Sequence, residues 1–124
     1  MCQEFGIAAD SDVIPGIAFG FAGGLGNTGS VCGAVSGAAM AISLRTGRPS
    51  EMGDALRILG VVKQFCRRFE AEMKTISCRE LTGADLTTEE GLAKYMSSDT
   101  AMKVCFPAVG TAYRLAVEIL KETK

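Results

Sequence analysis

Residues 49–73 read PSEMGDALRILGVVKQFCRRFEAEM. Met52, Leu56, Leu59, Val62, Cys66, Phe69 and Met73 recur at intervals of three or four, the spacing that lines up one face of an α-helix. Pro49 and Ser50 followed by Glu51 and Asp54 form a helix-start signature, and Arg57, Lys63, Arg67 and Lys74 occupy the other face. The stretch therefore predicts a helix of several turns with one buried side. The C-terminal segment repeats the pattern through Val104, Cys105, Ala108, Val109, Ala112, Leu115, Ala116 and Ile119, before a solvated Lys121-Glu122-Thr123-Lys124. Pro107 falls inside that pattern and either kinks it or marks its first turn.

Upstream, residues 30–44 predict a third helix made of small residues, stopped by Thr46-Gly47-Arg48-Pro49. Gly33, Gly37 and Ala41 fall at i, i+4 and i+8, which predicts a face for close backbone approach. A glycine inside a helix costs about 1 kcal/mol relative to alanine, so packing must offset it. A short helix is expected over residues 88–96, with Thr87 or Thr88 as N-cap and Glu89-Glu90 in its first turn. Residues 1–9 read as the tail of a helix, and residues 12–21 as a short helix after a turn. Strand signals are weak. The prediction is an all-α fold, a single domain over residues 1–124, with a Gly-rich loop before a small-residue helix.

Composition narrows the chemistry. The 124-residue chain carries 13 basic and 14 acidic residues, a net charge of −1, so it has no basic field for nucleic acid or anionic lipid. With no His, a Ser-His-Asp triad, a His general base, His-ligated haem and Cys₂His₂ zinc are excluded. There is no Trp and there are two Tyr, too few for base stacking. Residues 13–44 lack any charge, but Pro15, the many glycines and Asn27-Thr28-Gly29-Ser30 break them into pieces too short to cross a bilayer. The N-terminus has neither the basic nor the apolar region of a signal peptide, which predicts a cytoplasmic, non-membrane-spanning protein. In that compartment disulfides are transient, catalytic or sensing.

Gly24-Leu25-Gly26-Asn27-Thr28-Gly29 matches GxGxxG. A dinucleotide fingerprint needs a strand before it and a second strand after its helix, and here a long helix follows instead. The segment reads as a loop that caps a tightly packed helix. The surplus of five Cys points to thiol chemistry. With Ser30 or Thr28 as cap, Cys32 falls in a first helical turn, where free amides and the helix dipole predict a lowered thiol pKa. Gly29 and Gly33 leave its sulfur little steric cover. A reactive thiol, a metal ligand and a small core residue all fit Cys32. Cys78 opens a turn or short helix, with Arg79 placed to stabilise a thiolate. Cys105 lies on the core face of the last helix, and Cys66 on the core stripe of the long one, where a structural role fits best. Glu70, Glu72, Glu89 and Glu90 fit a solvated face and a helix start. No CxxC or CxxCH occurs, so zinc ribbons, thioredoxin-like sites and c-type haem attachment lack support.

Taken together, Phe19-Gly20-Phe21-Ala22-Gly23-Gly24, Cys32-Gly33-Ala34-Val35-Ser36-Gly37-Ala38, Phe69, Cys78-Arg79-Glu80-Leu81-Thr82-Gly83 and Cys105 resemble the C_GCAxxG_C_C family of redox-active proteins. The resemblance covers nearly the whole chain. It implies a small, mostly helical, cytoplasmic prokaryotic protein with a four-Cys signature, three members of which map onto Cys32, Cys78 and Cys105. Gly33, Ala34 and Gly37 belong to the motif, with Gly29 and Arg79 in support. Family members are encoded near transporter genes, which implies a functional link to a transporter. The family's first Cys precedes the segment resembling Glu4-Phe5-Gly6-Ile7, and Cys2 stands too close to Gly6 to be its plain counterpart. The N-terminal helix therefore reads as truncated, or one ligand is missing, or Cys2 or Cys66 substitutes for that Cys. A truncated helix leaves apolar surface for a second copy, which predicts a homodimer. The first functional expectation is thiol/disulfide electron transfer by Cys32 with Cys78, Cys105 or both, serving an unidentified redox partner. The second is binding of a transition metal or iron–sulfur cluster through the same three thiolates. The third is a non-enzymatic helical interaction module.

Overall fold

The computed structural model describes residues 13–122. The segments expected at residues 1–9, Cys2 among them, and the first residue of the short helix expected at 12–21 lie outside these. The described chain is helical: α1 (Val13–Ala18), a 3₁₀ turn (Phe19–Phe21), the single turn α2 (Ala22–Leu25), α3 (Gly33–Thr46), α4 (Met52–Met73), α5 (Cys78–Thr82), α6 (Glu89–Met96), a π-helical turn (Ala101–Cys105) and α7 (Phe106–Glu122). Among the described residues the extended backbone amounts to one isolated antiparallel bridge, between Val31 and Ser77. The all-α prediction holds, with a Gly-rich loop ahead of a small-residue helix.

Three helices make the core. α3, α4 and α7 pack on one another and bury Val35, Ala38 and Ile42, then Val61, Phe65 and Phe69, then Ala108, Ala112, Leu115, Ala116, Ile119 and Leu120. The alanines of α3 and α7 let the helix axes approach, and the two phenylalanines of α4 fill the space between them. Phe65 and Phe69 are fully buried, which stabilises the fold by about 1.5–3 kcal/mol each relative to leaving them in water. At the surface Arg68 pairs with Glu122 at 2.9 Å and Arg114 pairs with Glu72, tying α4 to α7. Exposed pairs of this kind contribute little, about 0–1 kcal/mol.

The stripe predicted for α4 is rotated. Ile58, Val61, Phe65 and Phe69 face the core, Val62, Cys66 and Met73 flank it, and Met52, Leu56 and Leu59 are 62–73% exposed. Two adjacent i, i+3/i+4 stripes of apolar residues run along this helix, and α3 and α7 cover the one that carries Phe65. The small-residue face of α3 is corrected in the same way. Gly33 does sit against backbone, since a Cβ there would lie 3.3 Å from the Phe21 carbonyl oxygen. Gly37 is exposed, with no described atom within 4 Å of a Cβ, and the buried face is Val35, Ala38 and Ile42.

Helix ends follow their local chemistry. The Thr88 hydroxyl accepts from the Gly91 N–H at 3.0 Å, as expected for the N-cap of α6. The Ser77 hydroxyl does the same for the Glu80 N–H at 3.2 Å and starts α5 at Cys78. Pro107 falls in the first turn of α7, one of the two roles expected for it. It has no N–H to offer Lys103, and the chain ahead of it widens into the π turn that ends at Cys105.

Candidate functional site

The loop between the 3₁₀ turn and α3 coils the wrong way for L-residues. Gly23, Gly24, Leu25, Gly26 and Asn27 have φ of 66°, 71°, 72°, 61° and 60°, five consecutive residues in the left-handed region. Such a run costs about 1–2 kcal/mol per residue that carries a Cβ, and three of the five are glycine. The run is held from outside. The Gly29 N–H donates to the Gly23 carbonyl at 3.1 Å, the Ser30 N–H donates to the Gly24 carbonyl at 2.9 Å, and the Thr28 hydroxyl donates to the Gly24 carbonyl at 2.7 Å. Gly24 is buried, and a Cβ on it would stand 2.6 Å from the Ser30 nitrogen and 2.7 Å from Cys78 Cβ. Gly24, the first glycine of the GxGxxG stretch, thus serves close approach to Cys78.

From this loop the chain runs into a short antiparallel clasp. The Cys32 N–H donates to the Ile76 carbonyl at 2.7 Å, the Cys78 N–H to the Ser30 carbonyl at 2.7 Å, and the Arg79 N–H to the Gly29 carbonyl at 3.2 Å. With Val31 opposite Ser77, Cys32 and Cys78 fall on the same side of the ribbon as diagonal neighbours, a relation that spans about 7 Å. The clasp also corrects the expected capping. Cys32 is itself the N-cap of α3, with φ −54° and ψ 132°, because its amide is committed to Ile76 and holds it extended. Ser30 and Thr28 do not cap that helix. Thr28 bonds back into the left-handed turn instead.

Cys32, Cys78 and Cys105 all line one cavity of about 470 Å³, formed between the glycine loop, α3, α5, α6 and the π turn. All four described cysteines are free thiols. Cys78 is buried. Burial first, and then negative charge on Cys32 and on Cys105, push its thiol pKa up. The coupling to both sulfurs reflects their shared cavity. The role expected for Arg79 is corrected: its side chain is 64% exposed and reaches Asp85 at 3.8 Å, so nothing offsets the burial of Cys78. Cys66 packs at the edge of the core, where burial and the nearby Glu70 raise its thiol pKa, consistent with the structural reading. Gly29 lies against Arg79 Cβ, 3.2 Å from its own would-be Cβ, and Ala34 lines the cavity.

Sequence reasoning missed Tyr95. It projects from α6 into the cavity, with its hydroxyl 3.2 Å from Cys105 Sγ. The hydrogen bond to Cys105 leads, and burial follows, in pushing its pKa up to about 12 from 10.0. Tyr95 therefore keeps its proton at neutral pH, and its hydroxyl and the Cys105 thiol share one hydrogen bond. The available signal was modest: a Tyr late in the 88–96 helix, one of two in the chain. A stability signature follows. Between pH 10 and about 12 the unfolded chain has lost a proton that the folded chain retains. Tyr95 thus contributes stability that is full below pH 10 and declines as pH rises toward 12. Urea titrations across that range are expected to show a shallower alkaline decline for Tyr95→Phe than for wild type, and parallel curves would count against the hydrogen bond.

A metal or iron–sulfur cluster fits this arrangement poorly. Among the described residues no three Cys, Asp or Glu side chains are gathered closely enough to hold a metal ion. No helix among the described residues is long and apolar enough to cross a membrane.

Fold and site together define an all-α cysteine protein that presents three thiols from separate elements to one cavity. The family model described as "Putative redox-active protein (C_GCAxxG_C_C)" matches residues 1–119, and the chain belongs to this family. No curated protein and no solved structure matches the chain.

Proposed function

We propose that the protein carries out thiol–disulfide exchange, with Cys32 as the attacking thiol and Cys78 as the resolving one. The observation that carries this reading is the clasp, whose hydrogen bonds either side of the Val31–Ser77 bridge hold the two cysteines against one shared cavity. Cys32 is half-buried, stands at the N-cap of a 14-residue helix and lines the cavity. Cys78 is buried with a raised thiol pKa, which suits a group that stays protonated until its partner sulfur is already bonded.

In the first step the Cys32 thiolate attacks a disulfide of the partner. One partner sulfur leaves as thiolate and the other remains in a mixed disulfide with Cys32. In the second, Cys78 gives up its proton and attacks Cys32 Sγ. The Cys32–Cys78 bond forms and the second partner sulfur leaves. The partner disulfide gains two electrons and becomes two thiols, and the cysteine pair loses two. Cys105, held by Tyr95, is the third thiol of the site and stands ready to intercept the mixed disulfide if Cys78 is blocked.

Oxidation of the protein with a small disulfide, followed by alkylation and peptide mapping by mass spectrometry, is expected to yield a Cys32–Cys78 link as the main product. A Cys32–Cys105 link would transfer the resolving role to Cys105. Oxidised protein with no link among these three residues would refute the proposal.

A further inference from the structure

The walls of the thiol cavity carry information about what enters it. Among the described residues no charged side chain lines the cavity. Leu81, Leu86, Leu92 and Val104 line it together with the three sulfurs, and the exposed Met96 and Val109 stand at its rim. Two of its polar side chains are already engaged, and the third, Asn27, is an uncharged amide on an exposed residue of the glycine loop. The Thr82 hydroxyl donates to the Cys78 carbonyl at 2.8 Å and accepts from the Ala84 N–H at 3.2 Å, and the Tyr95 hydroxyl is on Cys105. Among the described residues an anionic disulfide seated there finds no Lys or Arg for its carboxylates, and a cationic one finds no Asp or Glu. Either charge would lose its hydration without compensation. A cavity of about 470 Å³ is the size that small-molecule sites have.

From this we propose, resting on the thiol–disulfide reading above, that the substrate is a small, uncharged, apolar disulfide, bound with its S–S bond at Cys32 and its hydrocarbon part against the leucine and methionine wall. Charged peptide disulfides are excluded by the same wall. The exchange is the one already balanced: the apolar disulfide R–S–S–R′ takes two electrons and two protons to become two thiols, and the cysteine pair becomes a disulfide.

Two aromatic disulfides on one skeleton separate charge from reactivity: dianionic 5,5′-dithiobis(2-nitrobenzoate) and its neutral dimethyl ester. Each is reacted with folded protein, modification of Cys32 is followed by mass spectrometry, and the rate is divided by that for the same probe and residue in urea-unfolded chain. The expected result is a folded-to-unfolded ratio at least tenfold higher for the neutral probe. Equal ratios, or a higher ratio for the dianion, overturn the proposal. Met96→Arg sets a cation at the cavity rim, on a residue that is 73% exposed and outside the reacting pair. It is expected to narrow the preference severalfold by accelerating the dianion. An unchanged preference counts against the cavity as its origin.

A second measurement keeps the ligand class apart from the chemistry. In Cys32→Ser, the neutral dye N-phenyl-1-naphthylamine is expected to fluoresce in the cavity and to be displaced by diphenyl disulfide, but not by the dianion. That outcome supports the ligand class even if no cysteine link is found on oxidation. Absence of dye binding, or displacement by the dianion, overturns the ligand class and leaves the exchange reading standing on its own test.

Discussion

Replacing Gly24 by alanine is expected to lower the stability of the protein by about 3 kcal/mol, combining about 1–2 kcal/mol for an L-residue in the left-handed region with about 1–3 kcal/mol for overpacking. Both contributions are local. The residue has φ of 71°, and its new methyl would press on the Ser30 nitrogen and on Cys78 Cβ at 2.6 and 2.7 Å. Neither neighbour can swing aside, since one is backbone within the turn and the other opens α5. For a chain of this size the melting temperature should fall by about 10 °C. Gly26 provides the internal comparison. It also has positive φ, 61°, but open space around a Cβ, so Gly26→Ala should cost only about 1 kcal/mol. Thermal unfolding followed by circular dichroism reads both. Equal shifts for the two variants would show that the contact with Cys78 contributes nothing.

Cys32→Ser is expected to leave the fold within about 1 kcal/mol of wild type, because serine keeps the size and the N-cap position is only half-buried. The same variant should lower the rate of disulfide reduction by about two orders of magnitude or more, as removal of a nucleophile does. Oxidation should then give no link to Cys78. Cys66→Ser, at the edge of the core and away from the cavity, is expected to retain exchange within a factor of about two while losing some stability. The pair is read by anaerobic turnover of a small disulfide in the presence of excess dithiol. Wild-type turnover in Cys32→Ser would remove Cys32 from the mechanism.

What the sequence made legible was whatever depends on periodicity and on end signals. The long α4, the last helix, the Thr88 cap and the Cys78 helix start were all readable because i, i+3 and i+4 spacing and cap residues act locally. Which stripe of α4 turns inward was not. Ile58, Val61 and Phe65 compete with Leu56, Leu59 and Val62 on nearly equal terms, and the choice is made by α3 and α7, far away in sequence. The three cysteines were legible as candidates from their motif context, but their meeting in one cavity was not. It rests on backbone hydrogen bonds from Cys32 to Ile76 and from Cys78 to Ser30, which leave no mark in residue spacing. The error over the cap of α3 has the same origin. Ser30 and Thr28 are good capping residues, but the bond to Ile76 fixes the helix start at Cys32 instead. Tyr95 escaped notice for a related reason, as a side chain at a helix end says nothing of the sulfur it will meet.

The clasp also dictates an order of events during folding. Its two halves lie about 46 residues apart in the chain, and closing a loop of that length costs on the order of 3 kcal/mol of chain entropy before a single rung forms. The three hydrogen bonds of the clasp, each with a net worth of about 1 kcal/mol, at best balance that cost and leave no surplus to hold an open chain closed. The α3–α4 hairpin must therefore close first on Ile42, Phe65 and Phe69 and bring the ends within reach. Until it does, a newly made chain carries isolated thiols, and the dithiol pair comes into being only with the native topology.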